Sequence, residues 1–575
     1  MKRFSAILII LLTAMVARAQ FNKTYTLSGM TLEGSSIALL NNAGGTKDIV
    51  LCSQASTPGS NIINRCMLIK TDDNGNILTA KLRDTSNRVE RIIETIDNGV
   101  LLVSVFGDKI VVTKYDNNLN QLWSFKSMQN PDQNMNFGPA LNLDIEKAYY
   151  PNNPPNDQEY YYIVYTAGPP NAMYNQDANV GVLKIHQNGT VAWHKVYADA
   201  SRASYGTNAA VRDLAHSITS FPNPVNPNQK YFAVSGTRDY YDNIVIRKTT
   251  IFSFEIDENG LMVTPYKNIT TGGTQPLSPD IMWDGSNLAV TYVESNSGIN
   301  PGPNNASGVG LMRFSTSYAA PVGRYYWSKC ENYGLSLAMS SDGNYIVGGW
   351  QSFCTPAFDA SPMLFKINKT TLNQMYCMQY NVLDNYMGDG FHRTDNLNLN
   401  YILGASGTNV RLIKTNALGV TCGNVSNTMQ VKTFTPTIQD LSYTFTDNAT
   451  YTVETISDIP VIPNMRDCAT SGGTGGSYKL AATGAVSATP GISLYPTQID
   501  HGDEPVTCNI PGHEGATVEI AAYNILGRKI YSNSYHLDKT GYIQFSSSVL
   551  EPGLNIVRMH SGKEDLGSVK VNVVR

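Results

Sequence analysis

The chain has 575 residues, a net charge of −4 and only 15% charged residues, which argues against nucleic acid and against an anionic membrane surface as main partners. It carries 33 tyrosines and 47 glycines with abundant asparagine, no long run of like charge and no heptad pattern. That is the composition of an all-β extracellular protein, long enough for several domains or one large repeat domain with additions.

In chain order, Lys2 and Arg3 precede the apolar run "AILIILLTAMVA", which ends at the small-x-small pattern Ala17-Arg18-Ala19. A basic start, a short apolar stretch and this ending make residues 1–19 a secretory signal peptide, with cleavage expected before Gln20. A membrane anchor would need a longer run. Secretion places the eight cysteines in an oxidising setting. No CxxC or HxxxH occurs, so no metal site and no cofactor is expected. Cys52–Cys66 and Cys422–Cys468 are the expected disulfides, the first because it can bridge neighbouring strands.

A strand ending in a polar turn then recurs seven times: "MLIKTDDNGN" (67), "VVTKYDNNLN" (111), "GVLKIHQNGT" (181), "IFSFEIDENG" (251), "GLMRFSTSYA" (310), "MLFKINKTTL" (363) and "RLIKTNALGV" (411). A second strand alternates with it, from "DIVLCSQ" through "YYIVYTAG" to "YILGASGT", also in seven copies. A third follows, as in "LTAKL", "LWSFK", "VAWHK" and "QMYCMQY", but in six copies only. The missing member is supplied by "FNKTYTL" at 21–27. A fourth, less regular strand precedes each second one, as in "SSIALLNN" and "RIIETIDN". β-branched and aromatic strands bounded by Asn, Asp and Gly turns, repeated at about 58 residues, predict a repeat architecture. Four strands per unit and seven units predict a seven-bladed β-propeller over 20–428, closed by its N-terminal strand. A β-sandwich array is the structural alternative. Long loops at 130–160 and 294–308 are places where a binding site could be built.

After Cys422 the pattern changes. Residues 429–468 are Thr-rich with strand-like alternation, expected as additional edge strands or a propeller extension. Residues 469–491, "ATSGGTGGSYKLAATGAVSATPG", have linker composition. A compact β module fills 492–575.

That module resembles the C-terminal sorting domain (type A) of type IX secretion cargo in Bacteroidetes. Family members carry a Tyr-Pro-Asn-Pro start, a core ending in Gly-Arg, a Leu-x-x-Gly-x-Tyr turn and a final Lys-x-x-x strand. Here Tyr495-Pro496 is followed by Thr497-Gln498, and the core is matched by Leu526-Gly527-Arg528. The turn is matched by Leu550 to Gly553 with Asn555 in place of Tyr, and the final strand by Lys570 to Arg575. The ending of the seventh repeat also resembles propellers that precede such domains. The resemblance implies a small Ig-like β-sandwich and export in two steps, through the periplasm and then an outer-membrane translocon with its shuttle barrel. It further implies removal by a cysteine-peptidase sortase, with release or surface attachment. Bottom-up, 469–491 is where a chain can be cut without unfolding its neighbours. An Ig-like binding module is the alternative.

For chemistry, the first turn "TDDNGNILTAKL" lacks the alternate-residue spacing and the distal Glu of a calcium loop, and its copies lose the acids. A type I turn with Gly75 or Gly189 in the left-handed region suffices. "SSDGNYIVGGW" (340–350) fails as a sialidase-type Asp box. Asp239, Asp242, Asp280 and Asp284 are carboxylates near strand ends or in loops, and no nucleophile motif or phosphate loop is present. The tyrosine clusters belong mainly to the core, with Tyr240, Tyr241 and Trp327 as candidates for ligand stacking. These readings point to a secreted or surface-displayed binding or adhesion module whose ligand is a polysaccharide or surface protein. The rival is a glycan-active hydrolase with catalytic acids in propeller loops, and a passive spacer is a third reading. Convergent acids at one mouth of the ring would favour the enzyme, aromatics there the binder.

Overall fold

The computed structural model describes residues 20–467 and 493–573, apart from 128–142, 168–177, 200–208, 296–306, 353–360 and 381–390 and shorter stretches of one to five residues. The chain divides into two compact units, Met1–Gly476 and Ser477–Arg575. Among the described residues there is no α-helix, and none therefore is long and apolar enough to cross a membrane.

The first unit consists of seven five-stranded antiparallel sheets. In the first, Thr31–Asn41, Lys47–Ser56, Ile63–Thr71 and Ile77–Arg83 follow one another as hairpins. The next five sheets repeat this order along the chain. The seventh supplies only three strands locally, Phe391–Thr394, Asn400–Ser406 and Asn409–Thr415, and its fourth is the N-terminal Phe21–Thr26. Phe21 lies opposite Lys414 and Tyr25 opposite Val410. The six-copy strand thus finds its seventh member at the other end of the unit, as the pattern predicts.

The fifth strands come from a separate segment. Asn424–Ser426, Gln430–Phe434, Thr437–Leu441, Tyr443–Asp447, Tyr451–Val453, Asp458–Pro460 and Asn464–Asp467 add to the sixth, fifth, fourth, third, second, first and seventh sheets in that order. Each pairs antiparallel with the fourth strand of its sheet. This strap starts at Asn424, ahead of the 429 boundary drawn from composition, and runs backwards past every sheet.

Both faces of the middle strands are buried, which is why they read as near-continuous apolar runs. In Ile63–Thr71, Cys66 and Leu68 pack with Ile92, Leu102 and Tyr115 of the second sheet, while Met67 and Ile69 pack with Tyr25, Leu403 and Leu412 of the seventh. Every consecutive pair of sheets shares such a cluster: Leu101 with Ile163, Val164 with Phe232, Ile251 with Val290, Leu311 with Val347, and Leu364 with Ile402.

The turn after each third strand repeats as well. Asp72, Asp116, His186, Asp257, Ser315, Asn368 and Asn416 open these turns with a backbone N–H donated across the hairpin. Asp72 Oδ1 accepts from the amides of Asn74 and Asn76 at 2.9 and 2.8 Å, and Asp116, Asp257 and Asn416 do the same two and four residues on. The left-handed position falls on Gly75, Leu119, Gly189, Gly260, Tyr318, Leu372 and Gly419, with φ between 55° and 90°. Glycine is the low-cost residue there, and three copies hold the same conformation without it. The carbonyl at this position also locks neighbouring sheets: it accepts the hydroxyl of Tyr25 (Gly75), Tyr197 (Gly260), Tyr326 (Leu372) and Tyr380 (Gly419) at 2.5–2.8 Å.

The expected Cys52–Cys66 disulfide is corrected by the structure. The two lie diagonally on neighbouring strands, Cys52 opposite Leu68 and Cys66 opposite Gln54, with their sulfurs 3.5 Å apart. A disulfide needs about 2.05 Å, so these are buried thiols in van der Waals contact. Cys422 and Cys468 lie outside the described residues.

In the second unit, Ser493–Tyr495, Pro505–Asn509 and Tyr542–Ser546 form one sheet, and Gln498–Ile499, Glu564–Val573, Gly553–Ser561, Thr517–Asn524 and Lys529–His536 a second. Val506, Cys508 and Phe545 of the first share a core with Val518, Ile520, Val557 and Val571 of the second.

Candidate functional site

The first strands of the seven sheets differ from the others. They are polar at alternate positions, and in five sheets a bulge interrupts their pairing, at Gly34/Ser36, Asn87/Glu90, Ala215/Ser217, Leu277/Asp280 and Gly334/Ser336. A bulge inserts a residue and re-aims the side chains beside it. Among the described residues these strands have no further strand on their other edge, so their amides need other partners.

The partners are side chains of the preceding sheet. Ser36 Oγ accepts from the Ile92 amide at 3.1 Å, Asp144 Oδ2 from Ile218 at 3.1 Å, Ser217 Oγ from Ile281 at 3.3 Å and Asp280 Oδ2 from Leu337 at 2.6 Å. Glu146 Oε1 accepts from the amide and hydroxyl of Ser220. Lys147 Nζ reaches back to Glu94 at 2.8 Å, and Arg91 donates to the Ser35 carbonyl at 3.0 Å.

All seven first strands line one cavity of about 390 Å³. It is lined by Arg91, Lys147, His216 and Arg393, by Glu94, Asp144, Glu146 and Asp280, and by apolar side chains that include Ile37, Ile93, Ile145 and Met282. Ser217 Oγ stands 2.9 Å from Asp144 Oδ2 and 2.6 Å from Asp280 Oδ1. One hydroxyl has one proton, and its oxygen already accepts from Ile281. Both carboxylate contacts are hydrogen bonds only when one carboxyl is protonated. Burial, and then the charge of Asp144, push Asp280 up to about 6. Burial also raises Glu146 to about 7, with Asp144 adding to the effect. The bridging hydroxyl bounds the nearest Asp144 and Asp280 oxygens at about 5.5 Å apart, no wider than a retaining glycosidase pair.

Of the four acids singled out from the sequence, only Asp280 belongs to this cavity. Asp239 is buried in an ion pair with Arg212 at 2.8 Å. Asp284 accepts from Tyr345, Ser286 and Asn287; burial opposes its ionisation, but these bonds hold it below its ordinary value. The side chain of Asp242 lies outside the described residues. The aromatic candidates are not brought together. Trp327 is 6% exposed and stacked on Tyr325 at 5.5 Å, so it is core, not a platform. Tyr240 is half-buried, accepts from Asn268 at 3.2 Å and faces Arg238; the Tyr241 side chain is outside the described residues. Asp144, Glu146, Arg91 and Arg393 were not picked out by motif. The trace of the first three is the charge among apolar residues in "LDIEK" and "RIIE", which reads equally well as a solvated face.

Among the described residues no group of three or more His, Cys, Asp or Glu side chains is placed to hold a metal ion. The Asp72 carboxylate, the first atom of a hypothetical calcium loop, is occupied by its own turn.

In the second unit two of the segments compared with a sorting motif in the sequence meet. Arg528 donates to Glu551 at 2.6 Å and is 71% exposed at its side chain, while Asn524 donates to the other Glu551 oxygen at 3.0 Å. Leu550 is buried, and Asn555 Nδ2 donates to the Glu551 carbonyl at 2.7 Å. Tyr495 lies on the first strand, Gly553 opens the strand opposite Val573, and Lys570 pairs with Ile556. Pro496, Leu526 and Gly527 lie outside the described residues.

No family model matches the chain, and no curated protein does. Among solved structures, "Biofilm associated protein - BSP domain" is similar at 9% identity over 96% of each chain with a TM-score of 0.14, too low to carry any argument about fold or function.

Proposed function

We propose that the chain is a cargo of a type IX secretion system: a seven-bladed β-propeller that binds a polysaccharide or surface protein, followed by an Ig-like sorting domain read by the translocon, shuttle barrel and sortase. The observation that carries the propeller is the cavity lined by the first strand of every sheet. The unbroken succession of shared clusters, in which the seventh sheet packs on the first, supports the same closure. The strap's length is consistent with it too. Four strands stacked outward at ~4.8 Å put the outer edges ~20–25 Å from the axis, a circumference of ~150 Å, and residues 424–467 extended at ~3.3 Å each reach ~145 Å. Electron-microscopy class averages should show a sevenfold disc; an elongated array would sink the propeller.

The sorting reading is supported by Arg528 meeting the Leu550–Gly553 turn on an exposed surface. In a host with a type IX system, deleting 493–575 should strand the protein in the periplasm, and Arg528→Ala should reduce export with little change in stability. Unimpaired export of the deletion would overturn this assignment. The signal peptide at 1–19 and a surface or secreted location belong to the same proposal.

A second reading, a glycan-active hydrolase, is favoured by the Asp144–Ser217–Asp280 contact, which brings two carboxyls together across one hydroxyl beside a cavity. Against it, three of the four oxygen positions are already used in hydrogen bonds to the protein's own groups. The binder reading predicts that wild-type protein releases no reducing ends from a polysaccharide panel. Release that disappears in both Asp144→Asn and Asp280→Asn would establish the enzyme instead.

A further inference from the structure

The strap is the feature that neither the repeat nor the export reading requires. Without residues 424–467 each of the seven sheets would end in a fourth strand whose outer backbone edge is open, and an open edge is a template for another chain. The strap strands are short, three to five residues each, and every one pairs through the backbone. In the fifth sheet Gln430, Val431, Lys432 and Thr433 are exposed while paired with Trp327, Tyr326, Tyr325 and Arg324 in turn. Contact of this kind is carried by main-chain hydrogen bonds and asks little of side chains, the mode by which an extended segment is added to a sheet. The last strap strand, Asn464–Asp467, sits on Phe21–Thr26, the strand already borrowed from the other end of the unit.

We infer that the seven outer edges are one continuous interaction surface for an extended chain, that segment 424–467 is its built-in occupant, and that a displaced strap is replaced by the same segment of a second copy. The partner is therefore another molecule of this protein, joined by strand addition in the registers that the strap now uses. It depends on the observed pairings and stands or falls independently of the export reading.

The test uses the full chain with adjacent prolines in three strap strands: Val431→Pro with Lys432→Pro, Ile438→Pro with Gln439→Pro, and Thr444→Pro with Phe445→Pro. Two neighbours are replaced because one of them presents its N–H to the sheet, and proline removes it. Light scattering should find wild type monomeric when refolded dilute and exchanged into oligomers when refolded at high concentration, while the variant, whose straps are disabled in every copy, stays monomeric at both. A labelled synthetic peptide of wild-type sequence spanning 429–447 should bind the variant saturably and leave wild type unlabelled. Wild type that refolds only to monomer at high concentration, or a variant that keeps its near-UV spectrum and ignores the peptide, overturns the proposal. Should the prolines prevent folding, a protease sequence inserted at 422–423 lets the strap be nicked after folding. A nicked protein that loses the 424–575 fragment, remains folded and then binds a labelled 424–467 peptide saturably supports the proposal. One that loses the fragment, remains folded and does not bind the peptide, or that keeps its own fragment and never exchanges it for labelled peptide, overturns it.

Discussion

The fourth and seventh sheets solve one packing problem by opposite means. The fourth is built from Ala209–Pro222, Lys230–Asp242, Val245–Ile256 and Met262–Thr270, four long strands in direct succession. It buries Arg238 and Asp213 completely, 3.7 Å apart, with the Tyr266 hydroxyl donating to Asp213 at 2.9 Å. The seventh has a four-residue first strand and is stitched from three distant parts of the chain. Local hairpins close short loops, whereas joining Phe21–Thr26 to Asn409–Thr415 closes a loop of nearly the whole unit. The seventh sheet therefore depends on the longest loop closure in the unit, whereas the first four strands of the fourth need only local hairpins.

Breaking that contrast gives the largest expected effect. Deleting 21–26 removes a central strand of the seventh sheet, with Tyr25 fully buried and Lys414 left to its contact with Asp73 at 2.6 Å. The loss should exceed about 5 kcal/mol, beyond ordinary point mutations, and the urea-induced transition of the first unit should lose its cooperativity. In the fourth sheet, Asp213→Ala removes the carboxylate beside a buried guanidinium and should cost about 3–4 kcal/mol, measured by the same titration with that transition still cooperative.

The cavity sharpens the comparison through pH. Asp280 sits at about 6 against an ordinary 3.8, so its contribution to stability is complete below 3.8 and is lost as pH rises through about 6. Glu146 behaves likewise from 4.5 to about 7. Stability should fall over these windows with a slope of no more than ~1.4 kcal/mol per pH unit for each proton. Asp280→Asn should flatten the lower part and Glu146→Gln the upper part, as read by thermal melts from pH 4 to 8. Next in size, Tyr25→Phe removes only the hydroxyl on the Gly75 carbonyl and should cost about 1 kcal/mol. Asp72→Ala, which frees two amides of one exposed turn, should cost about 0.5–1 kcal/mol. Added calcium should leave melting of the wild type unchanged.

How much was legible follows from the same physics. The Asn, Asp and Gly turns stand where the recurrences put them, because an Asx turn and a left-handed residue are set by neighbours within five positions. The N-terminal strand was recognisable because it had lost its place in a repeat. The cavity was not, since polar residues at alternate positions of a strand look alike whether they meet solvent or a neighbouring sheet's amides. Trp327 misled for the converse reason: an aromatic strand end is core here because the strap and Tyr325 lie beside it. Cys52 and Cys66 were rightly brought to neighbouring strands, but proximity on a pleated face does not make a bond.

By itself the sequence determined the strands, their turns and their sevenfold count, because alternation and turn chemistry act over a few residues and are written in side chains. Only the tertiary structure decided that 424–467 runs backwards over seven edges and that residues of seven first strands line one polar cavity. Those pairings are made by backbone groups that every residue carries, across separations for which no local pattern can hold the record.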